Sequence, residues 1–294
     1  MSRKDSDRTD CDRSFKPEVS IVTGGASGIG RSIATELVAR GSHVVLADLN
    51  IELADKVAAE LSASRAATTS GGSASAAALD VADLEAVRRL VADVVAEHGR
   101  LDVMVNNAGV GVGGLTEEFT DQHWDLALRV NLGGVINGVR AAYPVMREQG
   151  FGHILNTASL AGLIPAPAML PYTTSKHAVV GLSTALRAEA AGVGVNVSVL
   201  CPGFVDTPLL DNIYSASPAM PSAKMREIVR GMQPKFLTPQ VVGAHAVRGL
   251  EHNTAVITVG VLARVLSGLN RLAPPVARGV CQVQAGIYRR RASA

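Results

Sequence analysis

The sequence predicts an α/β protein: a single doubly wound, Rossmann-type domain around a mostly parallel, seven-stranded sheet. Three observations support this prediction. Continuous apolar runs alternate with amphipathic helical segments, a glycine-rich turn separates the first run from the first helix, and 294 residues suffice for one large domain. Apolar runs without polar alternation are typical of parallel strands that helices cover on both faces. The expected strands are 19–23, 43–48, 77–81, 101–106, 153–157, 195–200 and 255–259.

Three regions of the chain differ in composition. Residues 1–16 are rich in Arg, Lys and Asp and are expected to be a disordered charged tail. Residues 17–260 carry the strand–helix pattern, and within them the low-complexity stretch 62–76 is expected to be a surface loop before the third strand. Residues 261–294 are apolar and basic and are expected to form a helical extension.

The bulk composition argues against several classes of protein. A formal net charge of +2 and 3% aromatic residues give no basic surface for nucleic acid, so no nucleic-acid partner is expected. Cys11, Cys201 and Cys281 lie far apart without metal-type spacing, which favours reduced thiols in a cytoplasm and no metal. The charged N-terminus does not resemble a signal peptide, and no apolar stretch reaches the roughly 20 residues of a membrane-spanning helix.

The first apolar run leads into Thr23-Gly-Gly-Ala-Ser-Gly-Ile-Gly30, and a helical pattern follows directly. Glycine lets a ligand come close to the main chain, and the free N–H groups and positive dipole end of the next helix favour a phosphate. A tight turn without a ligand is the alternative. The turn indicates a nucleotide site only together with other features of the chain.

Asp48 ends the second expected strand, 18 positions after Gly30. A dinucleotide fold places an acid near this position, where a carboxylate binds the adenosine ribose and repels a 2′-phosphate. Neither Leu49 nor Asn50 supplies a positive charge for such a phosphate, and Arg31 is the only nearby cation. NAD is therefore favoured over NADP. The alternative role of Asp48 is to cap the next helix.

Tyr172 and Lys176 follow the fifth expected strand and are four residues apart, so on a helix they share one face. An ammonium group beside a phenol stabilises the phenolate and is expected to lower its pKa from about 10. Such a tyrosine can exchange a proton with a carbonyl or alcohol oxygen, and Ser159 can hydrogen-bond the same oxygen. A packed Tyr, a surface Lys and a capping Ser are the alternatives. The combination behind a nucleotide-type turn favours catalysis.

These motifs resemble those of the short-chain dehydrogenase/reductase family, of the single-domain kind. The matching elements follow the family's order over residues 19–260: Thr23-Gly-Gly-Ala-Ser-Gly-Ile-Gly30, Asp80-Val81, Asn106-Asn-Ala-Gly109, Asn131, Ser159, Tyr172-x-x-x-Lys176 and Pro202-Gly-Phe-Val-Asp-Thr207. The resemblance implies a catalytic set of Asn131, Ser159, Tyr172 and Lys176, with Tyr172 as general acid/base. Asn131 would anchor a water for proton relay, and Lys176 would also bind the nicotinamide ribose.

The resemblance also implies the cofactor site, and 17–260 would then be a dinucleotide-binding catalytic domain. The glycine turn would line the pyrophosphate, Asp80 and Val81 would hold the adenine, and Thr207 would bind the carboxamide. The implied cofactor-binding residues are Gly24, Ser27, Gly28, Ile29, Gly30, Asp48, Leu49, Asp80, Val81, Asn107, Ala108, Gly109, Tyr172, Lys176, Pro202, Gly203, Val205 and Thr207.

Two apolar loops are expected to shape the substrate site: 160–171 and a lid at about 204–236. Neither has clustered cations, which favours an apolar secondary alcohol or ketone of steroid, retinoid, terpene or acyl type. Packing against the core is the alternative use of these side chains. In the extension, apolar residues at helical spacing precede Arg289-Arg-Arg291. Packing over the site or a subunit contact is favoured there, and an interfacial membrane helix is the less favoured alternative.

The sequence thus predicts a cytoplasmic, homo-oligomeric, NAD-dependent oxidoreductase that moves a hydride between nicotinamide and a secondary alcohol or ketone. Two alternatives stay open: NADPH-dependent carbonyl reduction by the same fold, and a nucleotide-binding regulator without turnover. The intact set of Asn131, Ser159, Tyr172 and Lys176 favours an enzyme, because a regulator has no need of a phenol–ammonium pair.

Overall fold

The computed structural model describes residues 15–216, 226–227, 230, 233 and 235–292. Of the charged tail expected at 1–16, all but the last two residues lie outside this range. Phe15, the first described residue, is half-buried against the core. Part of the lid expected at about 204–236 also lies outside the described residues.

The first half of the domain alternates strands with helices. In chain order its elements are β1 (Val19–Thr23), α1 (Gly28–Val38), β2 (His43–Asp48), α2 (Ile51–Ser62), α3 (Arg65–Ser70), β3 (Ser73–Ala78), α4 (Leu84–His98), β4 (Val103–Asn106), β5 (Val112–Gly113), a 3₁₀ turn (Thr116–Glu118) and α5 (Asp121–Ala127).

The second half begins with a π-helical turn and ends in two helices without a strand between them. Its elements are the π-turn (Leu128–Gly133), α6 (Gly134–Gln149), β6 (Gly152–Thr157), a 3₁₀ turn (Leu160–Gly162), α7 (Leu170–Glu189), β7 (Val195–Pro202), α8 (Pro208–Asp211), β8 (Tyr214–Ser215), α9 (Pro239–Glu251), β9 (Val256–Val259), α10 (Val261–Leu272) and α11 (Pro274–Ala292).

Seven strands form one parallel sheet in the order β3-β2-β1-β4-β6-β7-β9, which confirms the predicted α/β class and doubly wound architecture. Apolar side chains of α1, α2 and α9 pack on one face, and those of α4 and α6 pack on the other. The chain reverses its direction of winding between β1 and β4, so the loops after these strands diverge and leave a crevice at their carboxyl ends. β5 and β8 form a separate parallel pair, which the sequence did not predict.

The region before β3 corrects two expectations. Residues 62–76 are not one loop, because α3 lies within them; the Ser64 hydroxyl caps this helix by accepting a hydrogen bond from the Ala67 N–H at 3.1 Å. The third strand is 73–78 rather than 77–81. It is an edge strand of half-buried Ala and Ser residues, so no apolar run marks it, and its ladder with β2 fixes its position. Asp80 and Val81 therefore follow the strand.

Candidate active site

A cavity of about 900 Å³ lies at the carboxyl ends of the strands. Its wall includes most of the residues that the sequence predicts for the site: Gly24, Ser27, Gly28, Ile29, Asp48, Leu49, Asp80, Val81, Asn107, Ala108, Gly109, Ser159, Tyr172, Lys176, Pro202, Gly203, Val205 and Thr207. Gly30 and Asn131 are buried and do not line the wall; each contacts or holds a segment that does. One cavity thus unites the predicted cofactor and catalytic residues.

The glycine turn packs against the main chain around it. A Cβ atom on Gly30 would lie 2.1 Å from the carbonyl oxygen of Gly24, and one on Gly24 would lie 3.0 Å from the Cα of Ala108. Any side chain at Gly30 would therefore displace backbone. The Ser27 side chain does not cap α1, so the first N–H groups of this helix are left for another acceptor at the cavity wall. This cradle fits a pyrophosphate.

Asp48, at the end of β2, contacts the glycine-rich turn. One of its carboxylate oxygens accepts a hydrogen bond from the Ala26 N–H at 3.1 Å, and the other accepts one from the Asn50 N–H at 3.0 Å. Asn50, not Asp48, caps α2 through its side chain. Arg31, the nearby cation, forms an ion pair with Glu60 at 2.8 Å. The wall beside Asp48 is therefore acidic rather than basic.

Asn107 joins the ends of three strands. Its backbone N–H donates to the Thr23 hydroxyl at 2.9 Å, and its side-chain amide donates to the Thr23 carbonyl at 3.0 Å. The Thr157 hydroxyl donates to the side-chain oxygen of Asn107 at 3.3 Å. These bonds connect the carboxyl ends of β1, β4 and β6 at the floor of the cavity.

Asn131 lies in the π-turn, an irregularity that is frequent at functional sites. Its side-chain oxygen accepts a hydrogen bond from the Val110 N–H at 2.7 Å, and its amide donates to the Val110 carbonyl at 3.0 Å. The same amide also donates to the Ser175 hydroxyl at 3.3 Å. Asn131 therefore couples the loop after β4 to α7, the helix that carries Tyr172.

Tyr172 and Lys176 share one buried face of α7. The Lys176 ammonium donates to the Thr157 carbonyl at 2.9 Å and lies 5.6 Å from the centre of the Tyr172 ring. Ser159 lies two residues after the end of β6, and its hydroxyl accepts a hydrogen bond from the Ala161 N–H at 3.2 Å. The three side chains that the sequence predicts for proton transfer therefore meet at one end of β6.

Burial, not charge pairing, dominates the acid–base properties of this group. It raises the pKa of Tyr172, and hydrogen bonding with the Ser159 side chain offsets only part of that effect. Burial also lowers the pKa of Lys176 to about 8. Lys176 then loses its proton before Tyr172 does. The expectation that Lys176 lowers the pKa of Tyr172 is therefore wrong for the protein alone, because a low-dielectric site penalises both charged forms.

Residues of α10 and α11 line the opposite end of the cavity. The sequence predicted packing of the extension over the site as one possibility, but not which of its side chains face the cavity. Leu262 and Leu266 of α10 line it, together with four side chains of α11: Val280, Gln284, Ile287 and Tyr288. The Asn270 amide donates to the Leu163 carbonyl at 3.0 Å, and the Cys281 thiol contacts the Pro165 carbonyl at 3.2 Å. The extension thus packs over the apolar loop 160–171, which we call the substrate loop. The i, i+4 spacing of Leu262 and Leu266 was the signal in the sequence that could have indicated this contact.

Sequence reasoning also missed Thr157, because its functional atom is a main-chain carbonyl that any residue type would supply.

The comparisons with known proteins agree with this geometry. A model of the short chain dehydrogenase family matches residues 18–218. A probable oxidoreductase of Mycobacterium tuberculosis, EphD, is 34% identical over 276 residues, which are 92% of this chain and 45% of that protein. A putative ketoacyl reductase of the monensin polyketide synthase of Streptomyces virginiae is 35% identical over 258 residues, 85% of this chain and 96% of that protein.

Solved structures give the same result. The crystal structure of a short chain dehydrogenase/reductase from Burkholderia phymatum in complex with NAD is similar with a TM-score of 0.78 and 29% identity, over 90% of this chain and 96% of that one. The chain therefore belongs to the short chain dehydrogenase family. It spans 45% of the length of the EphD proteins, the first curated relatives that it matches.

Proposed function

We propose that the chain is an NAD-dependent oxidoreductase that transfers a hydride between nicotinamide and an apolar secondary alcohol or ketone. The observation that carries this proposal is the single cavity in which the glycine cradle and Tyr172 both form the wall. A nucleotide-binding regulator needs the cradle only. An enzyme, by contrast, can use the buried Tyr172 phenol and the Ser159 hydroxyl in the same cavity to transfer a proton and orient the substrate.

NAD fits the cofactor end better than NADP. The Asp48 carboxylate would accept hydrogen bonds from ribose hydroxyls and would repel a 2′-phosphate. Arg31 forms an ion pair with Glu60, which competes with any contact between Arg31 and that phosphate. The similar Burkholderia phymatum protein was crystallised with NAD, which supports the same choice. Bound NAD⁺ supplies the hydride acceptor and a positive charge on its pyridinium ring.

The chain's own groups would handle the proton. The Tyr172 side chain would accept the proton of the alcohol as the phenolate during oxidation, and as the phenol it would donate a proton to the carbonyl oxygen during reduction. The Ser159 hydroxyl would hydrogen-bond the same oxygen and orient it. Lys176, held by the Thr157 carbonyl, would bind the ribose hydroxyls, and Asn131 would keep α7 in position through Ser175.

The proposed substrate class follows from the other end of the cavity. Ile164 and Met169 of the substrate loop, Leu209 and Ile213 near α8, and Leu266 of α10 line it with apolar surface. Apolar walls of this kind bind hydrocarbon by excluding water, whereas an anionic substrate would need basic partners. We therefore infer an apolar alcohol or ketone.

A second candidate is NADPH-linked reduction of a ketone in the same site. The similarity to the putative ketoacyl reductase of Streptomyces virginiae favours it. The two candidates differ in the cofactor, so calorimetric titration with NAD and with NADP separates them. Tighter binding of NADP would replace the first candidate by the second.

The test of catalysis is a screen of secondary alcohols with either cofactor, followed by NADH or NADPH absorbance, on the wild type and Tyr172→Phe. Removing a general acid/base costs about 10²–10⁴-fold in rate. We expect a loss of this size in Tyr172→Phe with unchanged affinity for NAD. The control is Tyr143→Phe, a half-buried tyrosine of α6 outside the cavity wall. Equal rates in wild type and Tyr172→Phe would show that Tyr172 is not the acid/base.

A further inference from the structure

The two C-terminal helices have an outward face as well as the face that lines the cavity. We call the outward face the outer stripe. It consists of large apolar side chains that are 38–86% exposed: Val261, Val265 and Leu272 on α10, and Val276, Val280, Val283 and Ile287 on α11. Such side chains are rarely exposed together on a soluble surface unless something binds them.

The stripe is regular on both helices. Its residues follow one another at intervals of four and seven on α10, and at four, three and four on α11. At about 100° per residue, each set falls within about 60° of one helix face. Seven of the fourteen large hydrophobic residues that are exposed in the described part of the chain belong to it. This pattern is typical of an amphipathic helix whose apolar face is meant to be covered.

The charge of the C-terminal segment indicates which kind of partner could cover the outer stripe. Residues 252–294 contain six arginines and no Asp or Glu, whereas residues 1–251 contain 22 basic and 26 acidic residues. Arg264 and Arg271 are exposed and lie about 60–80° around α10 from the edge of the stripe. Both arginines lie on the same side of the stripe, and an apolar face with such a basic flank matches an anionic lipid surface, in which acyl chains lie beneath negative headgroups.

A second copy of the chain matches this surface less well. A two-fold contact across the stripe would bring the arginines of both copies together. Residues 252–294 contain no Asp or Glu side chain that could pair with them. Like charges at such a contact repel, and this repulsion disfavours the pairing.

The stripe also meets the opening of the cavity. Val280 and Ile287 belong to the stripe and line the cavity wall, so the apolar interior continues onto the apolar surface. Within the described residues, no helix is both long enough and apolar enough to cross a bilayer. Contact with a membrane through α10 and α11 would therefore be interfacial.

We propose that the outer stripe docks the protein on an anionic lipid surface with the opening of the substrate cavity toward the bilayer. Docking requires only the stripe and its arginines. The entry of a lipid-dissolved alcohol or ketone from the bilayer rests in addition on the proposed function.

Vesicle sedimentation of the full chain tests the docking. We expect co-sedimentation with vesicles of equal parts phosphatidylglycerol and phosphatidylcholine, and at least about tenfold weaker binding to phosphatidylcholine alone. Salt at about 0.5 M should weaken the binding to the anionic vesicles by about tenfold as well, because it screens the arginines. Equal binding to both kinds of vesicle, or no binding to either, would overturn the proposal.

Variants locate the surface. The double variant Val265→Asp/Leu272→Asp changes the stripe without touching the cavity wall, and we expect it to lose at least about tenfold in vesicle affinity. The matched control is Val241→Asp on α9, an exposed valine that belongs neither to the stripe nor to the cavity wall. Both variants should keep the thermal stability of the wild type, the affinity for NAD and the activity on a water-soluble alcohol.

Two results would contradict this assignment. Unchanged vesicle binding by the double variant would remove the stripe from the contact. Dissociation of a wild-type dimer into monomers by the double variant, measured by analytical ultracentrifugation without vesicles, would assign the stripe to a second copy of the chain instead. These readouts do not involve catalysis, so they fail or succeed independently of the proposed function.

Discussion

The two ends of the cavity are built in different ways. The cofactor end consists of strand termini and a glycine turn that hydrogen bonds and steric contacts hold in place, and it lies within residues 18–218, which the family model matches. The substrate end includes α10 and α11, which lie beyond residue 218 and contribute apolar side chains. A single substitution at the cofactor end should therefore cause a large loss of cofactor affinity, whereas a single substitution at the substrate end should cause a small loss of substrate affinity.

The largest effect on cofactor binding is expected at Gly30, where a methyl group would collide with the Gly24 carbonyl. Gly30→Ala should raise the calorimetric Kd for NAD by about a hundredfold, because the displaced turn would lose hydrogen bonds to the charged pyrophosphate worth about 1.5–3 kcal/mol each. The control is Gly268→Ala on α10, where an added Cβ meets no atom within 4 Å. It should leave the Kd unchanged. Similar Kd values for the two variants would contradict the contrast between the ends.

A smaller effect is expected from Asp48→Ser, which removes the charge that opposes a 2′-phosphate. The ratio of kcat/KM with NAD to that with NADP should fall at least about tenfold, equivalent to about 1.4 kcal/mol. Adding Glu60→Gln should lower the ratio further, because Arg31 then loses its ion-pair partner. A ratio that stays constant in both variants would mean that Asp48 does not select the cofactor.

At the substrate end, Leu266→Ala should raise KM for an apolar alcohol by about tenfold, since it removes about three carbon atoms of the wall at about 0.8 kcal/mol each, partly compensated by relaxation. Its Kd for NAD should not change. Val265→Ala is the matched control, because the adjacent side chain faces outward and does not line the cavity. An equal rise of KM in both variants would argue against a specific wall contact.

The smallest effect concerns Lys176 and the proton on Tyr172. Lys176, with a pKa of about 8, is already neutral when Tyr172 ionises. Lys176→Met should therefore shift the titration midpoint of Tyr172, in the protein without cofactor, by less than about half a pH unit from the wild-type value. The measurement is tyrosinate absorbance against pH, with Tyr172→Phe subtracted to isolate this residue. In wild type the midpoint should lie above the ordinary value of about 10. A midpoint below that value, raised by Lys176→Met, would restore the ammonium–phenolate pairing that the sequence suggested.

The cofactor end could be predicted from the sequence because short local motifs determine it. Local sequence determines the glycine-rich turn from Thr23 to Gly30 and the position of Asp48 at the end of β2. The spacing of Tyr172 and Lys176 places them on one face of a helix. The parallel sheet follows in the same way from continuous apolar strands. The sequence did not predict the strand order, but right-handed crossovers account for the order that the structure has.

Other features could not be predicted because they depend on the whole fold. The pKa of Tyr172 is governed by how deeply α7 is buried, which the spacing of two residues does not reveal. β3 carries small, half-buried side chains and owes its position to pairing with β2. For α10, helical spacing predicted a helix, but only the packed structure distinguishes Leu266 at the cavity wall from Val265 on the outer stripe.

The central claim is that one cavity brings nicotinamide and the carbinol carbon together beside Tyr172. Transfer of an isotope label from substrate to cofactor tests this claim most directly. A secondary alcohol identified in the substrate screen is labelled with deuterium at its carbinol carbon and incubated with NAD⁺ and the wild-type chain, and the reduced cofactor is analysed by mass spectrometry. We expect one deuterium at nicotinamide C4 for each ketone formed, and almost none with Tyr172→Phe in the same time. Ketone formed without deuterium in the cofactor would contradict direct hydride transfer in this site.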